Sequence, residues 1–355
     1  MKLALVAYLH GAGGAERQIT LLANVMAKRG HEVHFLVLSE FSKRYPINDK
    51  VKVYDLTDAE NSIVHPIVGR YIALKRVYKD IRPDITIHYN LQSAYLTLAM
   101  SKNIYCKAIY SERGDPYDKE YSGLLGRIRD WTVKRLDGLV FQSEGARDFF
   151  DDLVKEKSVV IHNSVEVPID KYPIPITRTK RIVSVGRLHE QKNYSLLIDA
   201  FAKIANAFSE YELVIYGDGE LREKLQEQID KYQLRQRINM LPACKDIWDK
   251  IRDASLFVLS SDYEGMPNAL MEAMALGIPS IATDCRPGGA RTLIEDGVNG
   301  FVVPLRNVDA LANMMSYVLS NPNVAKTISN GGRQITLTHD EERTFNKWEK
   351  FLCTF

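Results

Sequence analysis

The chain has 355 residues, 26% of them charged, and a formal net charge of +2. That length exceeds what one core comfortably serves, so two domains are expected, and the near-neutral balance speaks against a strongly basic nucleic-acid binder. Cys106, Cys244, Cys285 and Cys353 lack C-x-x-C spacing, which suits reduced packing cysteines of a cytoplasmic protein rather than a disulfide framework or zinc site.

The apolar start, residues 2–9, is short and breaks into His10-Gly11-Ala12-Gly13-Gly14-Ala15-Glu16, so it reads as a buried strand rather than a secretion signal. No apolar run is long enough to span a bilayer. Strand-like runs follow at 32–38, 51–56, 84–89, 108–111, 139–142 and 159–162, with helical patterns at 16–29, 69–81, 92–100 and 124–136. Such alternation predicts a parallel sheet with helices on both faces. Pro168, Pro173 and Pro175 interrupt the pattern and mark an interdomain linker. A second alternating series runs from 181 to about 319. A last helix, about 340–352, sets Phe345, Trp348, Phe351 and Leu352 along one stripe. The expected domains are therefore 1–166, 167–339 and a terminal helix, 340–355.

The most informative stretch is 257–279. A buried strand ends near Leu259, a polar loop carries Glu264, and Pro267 is placed to open a helix that Gly277 and Pro279 close. Glu272 then lies about a turn and a half inside that helix. Open amides at a helix start favour phosphate oxygens, and a carboxylate further along can accept from two ribose hydroxyls. In isolation two such glutamates are usually surface charges. Arg187 and Lys192 form an R-x4-K pair in a loop that follows the strand at 182–185. At the carboxyl end of a parallel strand they point to a ligand cleft, although such a pair alone is commonly a solvated loop. Gly217 and Asp218 follow the next strand, where Asp218 either faces a nucleotide or caps a helix beginning at about Glu220. Gly288 and Gly289 sit in a further turn whose backbone amides could frame a ligand, beside Arg286 and Arg291, both expected to be structural or peripheral.

In the amino-terminal half the G-x-G-x-x-G dinucleotide pattern fails, because Glu16 stands at the last glycine position. Gly13 and Gly14 permit close backbone approach, while Glu16 either binds hydroxyls or favours the helix start. Glu112, Arg113 and Asp115 follow a strand in an E-R-x-D-P run, with a core salt bridge as their structural alternative. Residues 1–165 carry 24 Lys and Arg against 20 Asp and Glu. The excess gathers at Arg70, Lys75, Arg76, Lys79 and Arg82 and at Arg127, Arg129, Lys134 and Arg135, interleaved with Tyr71, Tyr78 and Trp131. That pattern fits a helix face meeting anionic lipid, or an ordinary solvated face.

The Glu264–Glu272 spacing resembles the E-x7-E signature of retaining family 4 glycosyltransferases of GT-B fold. The likeness extends over nearly the whole chain and is strongest from 181 to 304. It implies an α/β architecture of two Rossmann-like parallel-sheet domains facing a central cleft, the amino-terminal one binding acceptor and the carboxy-terminal one donor. It also implies a terminal helix that packs back on the amino-terminal domain. By the resemblance Glu272 binds the ribose, Glu264 sits by the transferred sugar, and Arg187 and Lys192 hold the diphosphate. Gly14, Gly217, Asp218, Gly265, Met266, Pro267 and Asn268 would complete the donor site, with Glu264, Arg187 and Lys192 acting in catalysis. Gly13, Glu16, Glu112, Arg113 and Asp115 would meet the acceptor. Many relatives carry a histidine near 112–115, and the E-R-x-D-P variant is associated with bacterial surface-polysaccharide transferases.

The expected reaction moves a sugar from a nucleoside diphosphate sugar, UDP-sugar favoured, to a lipid-linked saccharide. No D-x-D occurs, so neither a metal nor another cofactor is expected. The expected place is the cytoplasm, peripheral on the inner face of the cell membrane, with no nucleic-acid partner. The rival readings are a sugar-nucleotide epimerase of the same fold and a non-catalytic nucleotide-sugar-binding subunit, with a nicotinamide dehydrogenase weakest.

Overall fold

The computed structural model describes residues 1–8, 13–39, 45–58, 65–100 and 106–355. Two compact units emerge, one of Met1–Asn163 with Glu342–Phe355, the other of Ser164–Glu341. The first contains strands β1 (Lys2–Ala7), β2 (Glu32–Val37), β3 (Lys52–Asp55), β4 (Ile85–His88), β5 (Lys107–Ser111), β6 (Gly138–Phe141) and β7 (Ser158–Val160). Its helices are α1 (Gly14–Lys28), α2 (Pro66–Ile81), α3 (Leu91–Met100), α4 (Leu124–Val133), α5 (Glu144–Asp148) and α6 (Asp152–Lys155). The strands form one parallel sheet in the order β3-β2-β1-β4-β5-β6-β7. Leu3, Ala4, Leu5 and Val6 are all fully buried, because helices cover both sheet faces and a central strand then has no solvent side. On one face Ile19, Leu22, Ala23 and Met26 of α1, spaced by three and four residues, pack over β1 and β2.

The second unit contains β8 (Thr179–Val185), β9 (Glu212–Tyr216), β10 (Ile238–Leu241), β11 (Ala254–Leu259), β12 (Ser280–Thr283) and β13 (Phe301–Val303). Its helices are α7 (Tyr194–Ile204), α8 (Arg222–Lys231), α9 (Ile247–Ile251), α10 (Asn268–Ala275), α11 (Gly289–Leu293), α12 (Val308–Ser320), α13 (Pro322–Arg333) and α14 (Ile335–Thr338). This sheet is also parallel, ordered β10-β9-β8-β11-β12-β13. Strand order reverses between β8 and β11, as it does between β1 and β4 in the first unit. At such a switch the connections leave toward opposite faces and open a crevice beyond the carboxyl ends of the strands.

The last helix, α15 (Glu341–Leu352), belongs to the first unit. Phe345, Trp348 and Leu352 are at most 2% exposed and join the core that α1 covers. Glu349 on the neighbouring face accepts from Arg29 at 2.6 Å and lies 2.9 Å from the His31 ring. The proline-bearing stretch expected to be the interdomain linker is hydrogen-bonded within the second unit. Arg333 donates to the carbonyls of Tyr172 at 2.7 Å and Ile169 at 2.9 Å. Among the described residues no helix is long and apolar enough to cross a membrane.

Two features of the expected basic-aromatic face are corrected. Tyr78 is 1% exposed and hydrogen-bonds Thr86, and Arg129 is 4% exposed, its guanidinium donating to the Pro116 carbonyl. Helical periodicity turns both inward, away from any lipid or solvent.

Candidate functional site in the second unit

The switch between β8 and β11 decides the geometry. Beyond β8 the chain passes Gly186 and Arg187 into a 3-10 turn, Glu190–Lys192. Beyond β11 it passes Ser260 and Ser261 to Glu264. Because these strands are neighbours, the two loops meet although about 70 residues separate them. The Lys192 ammonium donates directly to Glu264 Oε1, which also accepts from Ser261 Oγ at 2.7 Å. Both side chains are largely buried, 15% and 9% exposed. Two residues that the sequence suggests separately, for diphosphate and for sugar, thus form one ion pair.

A network absent from the sequence reading braces that pair. Asp262 N donates to the Gln191 carbonyl at 2.8 Å, Gln191 Nε2 to the Tyr263 carbonyl at 2.9 Å, and Ser260 Oγ to the Lys192 carbonyl at 2.8 Å. Asn193, which caps α7, reaches Asp262 Oδ1 at 2.9 Å, and Arg306 grips Asp262 Oδ2 at 2.6 and 3.0 Å. Asp262 stands two residues before Glu264 in S-S-D-Y-E. Its loop position was the one available signal.

The Glu264 amide donates to the Arg286 carbonyl at 2.7 Å, so the turn after β12 backs the loop. A Cβ added at Gly289 would stand 2.2 Å from the Gly265 carbonyl oxygen, so only glycine admits this approach. Gly265, Met266 and Pro267 are buried behind it. Helix α10 starts at Asn268, with Pro267 as its cap and no side-chain cap bond. Glu272 is its fifth residue and only 9% exposed. Arg286 contributes its carbonyl, and Arg291 pairs with Asp284 through two bonds of 2.8 and 3.0 Å, so both are structural.

Gly217 lies directly on the Gly186 carbonyl, where a Cβ would stand 1.9 Å away. This brings the Gly217–Asp218 turn against the Arg187 loop, and Leu188 N donates to the Asp218 carbonyl at 2.8 Å. Asp218 is not a helix cap. α8 begins at Arg222 with Leu221 at the cap, whereas the Asp218 carboxylate accepts from Ala243 N at 2.9 Å and Arg222 at 3.1 Å. Arg187 is exposed and makes no ion pair among the described residues. The second unit therefore presents a free guanidinium, a paired ammonium, the amino end of α10 and a buried carboxylate inside it. Together they can meet phosphate oxygens and a diol.

The first unit places the other expected residues differently. His10, Gly11 and Ala12 lie outside the described residues. Gly13 caps α1, Gly14 opens it, and Glu16 Oε2 accepts from Gly13 N at 3.4 Å, so Glu16 serves the helix start. Glu112 is 4% exposed and accepts from the amides of Arg113 at 3.0 Å and Gly114 at 2.9 Å and from Tyr110 Oη at 3.0 Å. Burial still raises its pKa above the usual carboxylate range. Arg113 donates to Asn163 Oδ1 at 2.9 Å and stacks 3.8 Å over the Tyr89 ring. Asp115 Oδ1 accepts from Tyr117 N at 3.0 Å. His88 sits within a buried chain of Thr86 and Ser93 hydroxyls, and burial lowers its pKa to about 3, so it is neutral.

Residues 12–167 match the family model described as Glycosyltransferase Family 4, and residues 169–335 that of Glycosyl transferases group 1. The fold is that of the GT-B glycosyltransferases. HepE of Anabaena, solved in complex with UDP, superposes with a TM-score of 0.82 over 100% of both chains at 18% identity. The chain belongs to the family 4 type of GT-B glycosyltransferases. The amylovoran biosynthesis glycosyltransferase AmsD of Erwinia amylovora is 22% identical over 99% of both chains. The GalNAc-alpha-(1->4)-GalNAc-alpha-(1->3)-diNAcBac-PP-undecaprenol alpha-1,4-N-acetyl-D-galactosaminyltransferase of Campylobacter jejuni is 24% identical over 99% of this chain and 98% of its own. The protein is thus a glycosyltransferase with relatives in bacterial polysaccharide biosynthesis.

Proposed function

We propose that the protein is a retaining, metal-independent hexosyltransferase that moves a sugar from a UDP-sugar to a lipid-linked saccharide, working peripherally at the cytoplasmic face of the cell membrane. The observation that carries the reading is the meeting of Lys192 and Glu264 ahead of α10 at the strand-order switch. The name of the Campylobacter relative, with its undecaprenol-linked substrate, supports the acceptor class, and the UDP in the HepE structure supports the nucleotide.

In this mechanism residues 164–341 hold the donor, with the ribose diol on Glu272 and the diphosphate on Arg187, Lys192 and the amino end of α10. The bond between the anomeric carbon and phosphate oxygen breaks as the acceptor oxygen bonds that carbon from the same face. The hydroxyl proton passes to the departing phosphate. The two cations and the helix dipole stabilise the charge on the leaving diphosphate, the task a divalent cation performs elsewhere. Glu264 stabilises positive charge developing on the sugar. Residues 1–163 receive the acceptor, near Gly13 and 112–115.

Incubating the purified chain with UDP-sugars and an undecaprenyl-diphosphate-linked saccharide in excess EDTA tests this. Transfer with the donor's anomeric configuration kept, read by NMR of the new linkage, is expected. An inverted linkage, or activity only with added Mg²⁺ or Mn²⁺, would refute the mechanism. Free epimer formed without acceptor would establish the epimerase instead.

A further inference from the structure

Asp262 joins three loops of the second unit. Its side chain is 16% exposed and each carboxylate oxygen takes a different donor. Oδ1 accepts from the Asn193 amide at 2.9 Å, and Oδ2 from Arg306 at 2.6 and 3.0 Å. Asn193 directly follows Lys192, Asp262 stands two residues before Glu264, and Arg306 lies beyond the end of β13. The backbone of Asn193 is left-handed, with φ 44° and ψ 49°, a conformation that asparagine tolerates. Its Oδ1 caps α7 by accepting from Leu196 N at 3.3 Å, while its Nδ2 is directed at Asp262. The start of α7 is thereby tied to the loop that carries Glu264.

The consequence falls on Glu264. Its bonds from Lys192 and Ser261 both end on Oε1. Ser261 belongs to the same loop as Glu264, whereas Lys192 belongs to the turn before α7. The direction of the carboxylate therefore depends on how the two loops stand against each other. The bonds from Asp262 N to Gln191, from Gln191 to Tyr263 and from Ser260 to Lys192 cross between these loops and end on neutral carbonyls. The Asn193–Asp262 bond ends on a carboxylate, and such a charge-assisted bond is about twice as strong as a neutral one.

We propose that Asp262 is a positioning residue of the donor site. Through Asn193 it sets where Lys192 stands against Glu264, and Arg306 keeps its carboxylate turned to that bond. The inference rests on the donor reading of residues 164–341 and names the group that prepares the site before a donor arrives.

Asp262→Asn tests it. An amide at this position can accept from Asn193 or from Arg306 but not from both, so it turns a donor toward one of them and loosens the loops. The coupling between Lys192 and Glu264 is read by scanning calorimetry of the full chain, from the melting points of Lys192→Met, Glu264→Gln and their double variant. In the Asp262→Asn background that coupling should fall by about half. UDP should bind about three- to tenfold more weakly, less than loss of the ammonium itself would bring. Adding Arg306→Ala removes the donor that the new amide faces and should restore most of both. An Asp262→Asn chain that melts lower but keeps the parent's coupling and UDP affinity would overturn the proposal and leave the donor reading intact. Loss without rescue by Arg306→Ala would equally overturn the route through Asn193. A parent chain that ignores UDP would refute the donor reading, and the coupling would still decide whether Asp262 positions the pair.

Discussion

Replacing Lys192 by Met removes the ammonium from Glu264 and keeps most of the stem's volume. Among the described residues the carboxylate, 9% exposed, is then left with the Ser261 hydroxyl alone. Breaking a buried pair in this way costs about 3–5 kcal/mol. The Ser261 bond and the residual exposure favour the lower end, about 3 kcal/mol. For a body of this size each kcal/mol moves the midpoint by about 2–4 °C, so a fall of about 6–12 °C is expected. Adding Glu264→Gln removes the stranded charge and should recover at least half of that loss. Scanning calorimetry of the two single variants and the double variant measures the coupling. UDP titration separates folding from function. Loss of one charge-assisted phosphate contact, about 1.5–3 kcal/mol, should weaken UDP about 10- to 150-fold in both Lys192→Met and the double variant. Additive losses of stability, with no recovery in the double variant, would show that the pair does not act as a unit and refute the reasoning.

Glu272→Ala should weaken UDP by a similar 10- to 150-fold, whereas Glu264→Ala should leave UDP affinity nearly intact and lower turnover about 10²-fold. The opposite pattern in calorimetry and kinetics would reverse the two assignments. Trp348→Ala should destabilise the first unit by about 3–5 kcal/mol, measured by urea unfolding, without changing UDP affinity. Glu112 carries a raised pKa, so the folded chain keeps a proton that the unfolded chain has released. Stability relative to Glu112→Gln should therefore fall as pH rises from the ordinary carboxylate range through the raised value. A pH-independent difference between the two melting curves would count against that burial.

Alternating apolar runs and helical periods were enough to call two parallel α/β sheets, because a strand buried on both faces and a helix with one apolar stripe declare themselves locally. The terminal stripe of Phe345, Trp348 and Leu352 was legible for the same reason, and the E-x7-E and R-x4-K spacings marked two loops that meet in the structure. Contacts made after folding were not legible. Lys192 meets Glu264 and Asp262 clamps both loops because β8 pairs with β11, and Asp218 turns to Ala243 because β9 pairs with β10, and strand order leaves no periodic trace in the chain. Nor did local charge show that Tyr78 and Arg129 turn inward, or that Arg113 stacks on Tyr89 beside a tyrosine-walled cavity. A side chain's neighbours across a sheet depend on which strands are adjacent, and only the assembled tertiary structure decides that.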